Sequence, residues 1–141
     1  MTTLGSQDMA QDPRCRLIRI NLAKEGSQVG LAQGLNVVDV QGRPAKMWAD
    51  ADQGDVFEEL NDVMSRIGGR TNWLASMAQD VKKGRRSETA YMNGLVCRKG
   101  LEVGIPTPYN DAIVAAMHRI DNRELTQGPT LIDVVLAAVR T

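Results

Sequence analysis

The chain has 141 residues, with 17 lysines and arginines against 17 aspartates and glutamates, so its formal net charge is zero. This length fits one domain that can bury a core. The charge balance argues against a general nucleic-acid binder, which usually carries a basic excess, and the 4% aromatic content argues against base-stacking platforms. No nucleic-acid partner is predicted.

The chain has few cysteines and histidines and no long apolar run. Cys15 and Cys97 are too few for a disulfide framework, and we interpret both as small apolar fillers. With one histidine, a zinc site of cysteine and histidine ligands would be unusual, so no metal is predicted. No apolar run approaches the roughly 20 residues of a membrane span, and residues 1–13 lack a signal peptide's apolar stretch. We therefore expect no membrane association and a cytoplasmic location.

In chain order, residues 1–13 are predicted to be a disordered lead-in, because they offer little to bury. A first helix is predicted from about Arg14 to Gln33, ended by Gly34. Residues 36–44 are turn-rich and predicted to be loop, since a lone strand would have no partner. The clearest helix follows, and its apolar residues keep helical spacing: Val56, Phe57, Leu60, Val63, Met64 and Ile67.

The second half predicts helices over about 71–83 and 87–103. Thr107 and Pro108 suit the N-cap and first turn of another helix, and Pro129 opens a last one. With no strand ladder and no repeat of 20–50 residues, the predicted fold class is all-α: about six helices over residues 14–141, and not a simple four-helix bundle. Two aromatic residues at apolar helix positions are predicted to lie in the core: Trp73 and Tyr91.

The connection between those two helices has an unusual polar composition. A basic run, Lys82 to Arg86, is followed by Ser87 as a predicted N-cap and by Glu88 in the first turn, where the helix dipole stabilises a carboxylate by about 0.3–1 kcal/mol. From the residues alone, capping is the favoured role for Glu88 and an exposed helix serine for Ser76. The alternative is a small-ligand pocket. The basic run is interpreted as a solvated turn rather than a phosphate site.

Residues 76–114 carry short motifs at a fixed spacing: Ser76-Met77, Gln79-Asp80, Arg85-Arg86, Ser87-Glu88, Asn93-Gly94 and Gly104 to Asn110. This series resembles the C-terminal domain of the ketopantoate reductases (2-dehydropantoate 2-reductases), whose spacing it keeps without gaps. A weaker resemblance over residues 22–37 extends the likeness to about residues 14–125.

The resemblance implies an activity and a site. Enzymes of that family reduce 2-dehydropantoate to pantoate with NADPH, on the route to pantothenate and coenzyme A. A Rossmann domain carries the cofactor, and the helical domain closes over the 2-keto acid. By position, Ser76 would hydrogen-bond the substrate, while Glu88 would hold the catalytic lysine and touch the nicotinamide ribose. Asn72 would be a further substrate contact, although it lies one residue from the family's asparagine.

Two parts of such an enzyme are not found in these residues. There is no Gly-x-Gly-x-x-Gly after a strand and no βαβ unit, and the family's catalytic lysine has no counterpart, since Lys24 matches a different segment. The resemblance thus predicts the C-terminal part of a reductase, whether cut out, separately encoded or a remnant.

Such a chain would be inactive alone and would bind no NADPH alone. A Rossmann-type NADP-binding domain is the expected partner, and bare apolar surface favours a homodimer as well. The alternative is a non-enzymatic helical module, derived from that family and kept for dimerisation or partner binding.

Overall fold

The computed structural model describes residues 2–67, 72, 79, 83 and 88–140. Apart from the three single positions, the predicted helix over 71–83 with Trp73 and Ser76, and the basic turn that follows it, lie outside the described residues. The described part contains seven helices and no strand: α1 (Ser6–Gln11), α2 (Pro13–Ala32), α3 (Ala45–Ala49), α4 (Val56–Arg66), α5 (Thr89–Val103), α6 (Pro108–Asp121) and α7 (Leu131–Val139). The all-α prediction is confirmed.

The N-terminal segment is ordered by packing. α1 buries Ala10 completely, and Leu4 and Met9 pack against the core formed by α2, α6 and α7. The prediction of a disordered lead-in over residues 1–13 is therefore wrong for the described positions. Residues 1–13 are mostly polar, but their few apolar side chains pack against residues that are distant in the sequence.

α2 is the central helix, and its ends follow the predicted chemistry. The Asp12 carboxylate accepts a hydrogen bond from the Arg14 backbone N–H at 2.8 Å, next to Pro13 in the first turn. At the other end Gly34 takes a left-handed φ of 73°, and the Leu35 N–H donates to the Gly30 carbonyl at 3.1 Å. This pattern is a Schellman ending, which glycine favours.

Opposite sides of α2 face two separate cores. Because successive residues are about 100° apart around a helix, Ile18 and Ile20 point in nearly opposite directions. Ile18 joins a core of buried residues from α2, α6 and α7: Cys15, Ala112, Ile113, Ala116, Met117, Ile132 and Val135. Ile20 joins a second core with residues on α3, just after it and on α4: Trp48, Ala51, Leu60 and Met64.

The segment between α2 and α3 forms a tight two-residue turn. The backbones of Val40 and Arg43 exchange hydrogen bonds of 2.8 and 3.0 Å, and both central residues have positive φ, 53° for Gln41 and 69° for Gly42. Positive φ at both centres is the geometry of a type I′ turn. The Trp48 indole N–H donates to the Val40 carbonyl at 2.9 Å and so fixes this turn to the second core.

α5 and α6 meet at a close approach between backbones. Gly104 has a φ of 73°, and the Ile105 N–H donates to the Gly100 carbonyl at 2.9 Å, which is a second Schellman ending. A Cβ on Gly100 would lie 2.7 Å from the Ile105 carbonyl oxygen and 2.8 Å from a Thr107 methyl carbon. Gly100 is thus required for the reversal from α5 to α6.

Within the described ranges, no helix combines the length and apolar character that crossing a bilayer requires.

Two glycines of α5 should respond oppositely to alanine. Gly100→Ala should lower the free energy of unfolding by about 1–3 kcal/mol, because the new methyl group collides with backbone. Gly94→Ala should instead raise it by about 0.5–1 kcal/mol, because alanine is the better helix former and the nearest described atom to its Cβ, Arg98 Nη1, lies 3.4 Å away on a flexible side chain. Urea denaturation of both variants would measure this, and equal effects would contradict the close approach.

Candidate functional site

A buried carboxylate joins three helices. Glu25 on α2 is only 4% exposed. Its oxygens accept the Tyr109 backbone N–H at 2.8 Å and the Asn110 backbone N–H at 2.9 Å. They also accept the Asn110 side-chain amide at 2.6 Å. Asn93 on α5 completes the network by donating its side-chain amide to Asn110 Oδ1 at 2.9 Å.

This network supplies the cap that the start of α6 otherwise lacks. Thr107 occupies the N-cap position as predicted, but its side chain makes no capping hydrogen bond and donates to Asp111 Oδ2 at 3.2 Å. The amides of the first turn have no intrahelical acceptors, so the Glu25 carboxylate satisfies them from another helix. Its negative charge also suits the positive end of the helix dipole.

Burial sets the protonation of this carboxyl group. Desolvation raises the pKa of Glu25, and the three hydrogen bonds oppose that rise without cancelling it. The folded chain therefore holds this proton to higher pH than the unfolded chain does.

Glu25 was not predicted as a site residue, although its position in the sequence indicates that its carboxylate is buried. It follows Ile18 and Leu22 and precedes Val29 at helical spacing on one face of α2. A carboxylate within an apolar face must be partnered. The sequence could reveal the need for partners but not their identity, because Tyr109 and Asn110 lie 84 and 85 residues away.

Glu88 lies at the start of α5. It is the N-cap residue of a helix that begins at Thr89, one residue later than predicted. Its backbone carbonyl accepts the N–H groups of Tyr91 and Met92 at 2.9 and 3.0 Å. Its carboxylate makes no capping hydrogen bond and is exposed, so its favourable interaction with α5 is limited to that of its charge with the positive end of the helix dipole.

An exposed apolar face continues from Glu88 along α5. Tyr91, Met92 and Leu95 are 79%, 56% and 48% exposed, and they follow Glu88 at intervals of three, four and seven residues, which place all four on one face. The prediction that Tyr91 lies in the core is wrong. Tyr91 follows the spacing of an apolar helix face, as expected, but this face of α5 does not pack against the described core.

Of the two predicted substrate-binding residues, Asn72 is described by the structure and Ser76 is not. Ser76 lies outside the described residues, so its convergence with Glu88 stays a prediction. Asn72 is exposed; its Oδ1 accepts the Gln7 backbone N–H at 2.9 Å, and its Nδ2 donates to the Asp8 carboxylate at 2.8 Å. Asn72 thus caps α1, and a substrate contact by this residue also stays a prediction.

The remaining chemically interesting residues occupy structural positions. Lys24 forms an ion pair with Asp52 at 2.7 Å. Cys15 is buried in the first core, Cys97 is partly buried, and both thiols are free. Burial raises the pKa of each thiol to about 11, which makes thiolate chemistry near neutral pH unfavourable. No group of three or more metal-binding side chains occurs among the residues described.

Comparison with protein families decides the relationship suggested by the motifs. The model of the ketopantoate reductase PanE/ApbA C-terminal domain matches residues 1–121. The chain belongs to this family. The match ends at the last residue of α6, and α7 lies beyond it, although Ile132 and Val135 of α7 are fully buried in the first core. No solved structure matches the chain.

Substitutions at Glu25 should separate the need for an acceptor from the need for charge. Glu25→Leu should lower the free energy of unfolding by about 2–4 kcal/mol, because it leaves buried donors of α6 without an acceptor. Glu25→Gln should cost less, since its amide oxygen still accepts while no charge is buried. Glu102→Leu, an exposed change on α5, is the control and should stay within about 0.5 kcal/mol.

The same variants predict a pH dependence. An unfolded glutamate titrates near 4.5, and burial raises the folded value, so the folded chain binds more protons just above pH 4.5. The unfolding free energy of the unmodified chain should therefore fall as pH rises through the folded pKa of Glu25. Glu25→Gln should remove this component, as urea denaturation at several pH values would show. An unchanged slope in the glutamine variant would contradict the assignment.

Proposed function

We propose that this chain is the substrate-side domain of an NADPH-dependent reductase resembling 2-dehydropantoate 2-reductase, and that it acts together with a dinucleotide-binding domain. Family membership supports the proposal, and the observation that carries it is the position of Glu88. The carboxylate lies at one end of the exposed apolar face formed by Tyr91, Met92 and Leu95. Such a face marks a surface that another body covers.

Three helix N-termini of the described part, those of α1, α5 and α6, are unsuited to the pyrophosphate of a dinucleotide. A pyrophosphate is commonly held by free amides at a helix N-terminus. Those of α6 are taken by Glu25, and α1 is capped by Asn72. At the start of α5, the Glu88 carboxylate would repel a phosphate. The proposal therefore assigns cofactor binding to the partner domain.

The role proposed for Glu88 is to position a lysine supplied by that partner. When a keto group is reduced, negative charge develops on its oxygen, and a nearby ammonium group stabilises that charge. A carboxylate beside the ammonium keeps it protonated and oriented. Glu88 has no hydrogen-bond or ion-pair partner among the described residues, so its carboxylate is available for such a contact.

Glu88→Gln should separate this role from a structural one. Combined with a cofactor domain of the family, the chain should oxidise NADPH in the presence of 2-dehydropantoate, and this variant should lower turnover by about 100-fold or more. Its unfolding free energy should change by no more than about 1 kcal/mol, the contribution of an exposed charge at a helix N-terminus. Glu102→Gln on the same helix is the matched control: it removes only a surface ion pair with Lys99, so turnover should stay unchanged and the unfolding free energy should change by less than about 0.5 kcal/mol.

Two results would contradict the proposal. One is turnover by the chain alone, since the cofactor and the lysine are assigned to the partner. The other is a Glu88→Gln variant that loses stability but keeps full turnover in the combined enzyme, since Glu88 would then be a structural residue.

The apolar face of α5 also supports the second candidate, a non-enzymatic module for dimerisation or partner binding. The face itself does not distinguish a second copy of the chain from a cofactor domain. Tight self-association without binding to any cofactor domain would favour the module, whereas a monomer that binds the cofactor domain would favour the reductase.

A substitution pair on α5 tests whether this face forms the contact. Tyr91→Ser should weaken association with the cofactor domain by at least about tenfold, because exposed aromatic residues carry much of the energy of such interfaces. Leu101→Ser is the control, since Leu101 is 85% exposed but lies on a different side of the helix. Sedimentation velocity or calorimetry would measure both, and an equal loss in the two variants would exclude a specific contact at Tyr91.

A further inference from the structure

A cavity of about 400 Å³ lies between α2, the turn before α3, α4 and α5. This volume is within the range of sites that hold small molecules. Most of its described walls are apolar: Leu22, Val40, Trp48, Met64, Met92 and Val96. Glu88 is not among the described residues that line it, but Met92 belongs both to this lining and to the exposed apolar face of α5, so the cavity borders the surface proposed above to meet a second domain.

Among the described lining residues one carries a positive charge, Arg19 on α2. Arg19 stands between Ile18 and Ile20 and is partly buried. Removal from water lowers its pKa, and desolvation is the largest cause. A guanidinium that loses hydration usually gains hydrogen bonds in return.

Arg19 has no such compensation within the described part of the chain. Three of the described arginines are partly buried: Arg16, Arg19 and Arg43. Arg16 donates to Asn61 and to the Ala10 carbonyl, each at 2.7 Å, and Arg43 donates to Glu59 at 3.1 Å. Arg19 makes no hydrogen bond or ion pair with any described residue, although its position on the cavity wall allows a ligand to reach it.

Further polar groups line the same cavity. Asn93 uses its amide N–H to reach Asn110, while its Oδ1 has no hydrogen-bond partner among the described residues. Gln41, the first central residue of the type I′ turn, also lines the cavity. A ligand can therefore meet one cation and a few neutral polar groups in otherwise apolar surroundings.

We propose that this cavity binds a small monocarboxylate with an apolar body, with its carboxylate on the Arg19 guanidinium. The two planar groups match in a bidentate pair, and the single charge of the ligand balances the one cation among the described lining residues. Met64, Met92 and Trp48 contact the apolar body, and the methionine sulfurs favour an aromatic ring. Phosphate fits less well, because its second charge would be buried without a counter-ion.

Ligand titration of the whole chain tests this directly. The probes are 4-phenylbutanoate and 4-methylpentanoate, with 4-phenylbutan-1-ol as the neutral counterpart and inorganic phosphate as the alternative anion. Both carboxylates should bind saturably in calorimetry and should shift the indole N–H resonance of Trp48, assigned with Trp48→Phe. The alcohol and phosphate should bind at least about tenfold more weakly.

Variants locate the binding on Arg19. Arg19→Gln should weaken carboxylate binding at least about tenfold, while Arg98→Gln, which removes an exposed arginine of α5 outside the described lining, should leave it unchanged. If Arg19→Gln does not fold by circular dichroism, Val96→Phe, which fills part of the cavity, should weaken binding of 4-phenylbutanoate instead. The proposal is overturned if neither carboxylate binds the unmodified chain, if the alcohol binds equally well, or if folded Arg19→Gln retains the affinity. None of these measurements requires reductase activity, so they are independent of the proposed function.

Discussion

The hydrogen bonds of Glu25 are the contacts on which the arrangement of α2, α5 and α6 depends. A carboxylate in the middle of α2 satisfies the first amides of α6, and Asn110 extends the same network to Asn93 on α5. Apolar packing is tolerant of small displacements, whereas hydrogen bonds of 2.6–2.9 Å between buried groups are not. The network thus specifies the relative position of three helices, even though burying its charge reduces the net stability gained.

α2 explains why one short chain can contain both a sealed core and an open cavity. Its two sides are buried in different clusters, through Ile18 and Ile20. A helix with two buried sides must place some intermediate positions in partly apolar surroundings, and Arg19 and Glu25 occupy two of them. Glu25 obtains a full set of donors from α6, while Arg19 obtains no protein acceptor within the described residues. The same helix therefore carries one satisfied charge and one unsatisfied charge.

Local chemistry allowed much of the fold to be predicted. The glycine endings at Gly34 and Gly104 and the start of α6 at Thr107 rest on backbone preferences within a few residues, and the structure agrees with each. Expectations failed where distant partners decide the outcome. α1 is ordered by contacts from elsewhere in the chain, and Tyr91 lies on a face whose exposure helical spacing cannot reveal. Of the candidate site, Glu88 could be found from its motif, but Glu25 and Arg19 could not, because their significance arises from residues 84 positions away and from a cavity.

The family motif combines residues with different physical tasks, which explains its length. Asn93, Thr107 and Asn110 are turned inward: two join the Glu25 network, and Thr107 packs over Gly100 while bonding Asp111. Glu88 belongs to the same series but is exposed beside an apolar face. A carboxylate in that position contributes little to folding, because an exposed charge at a helix N-terminus adds only about 0.3–1 kcal/mol. The inward residues make the helical frame rigid, and that rigid frame is what would give the exposed carboxylate a defined position toward a second domain.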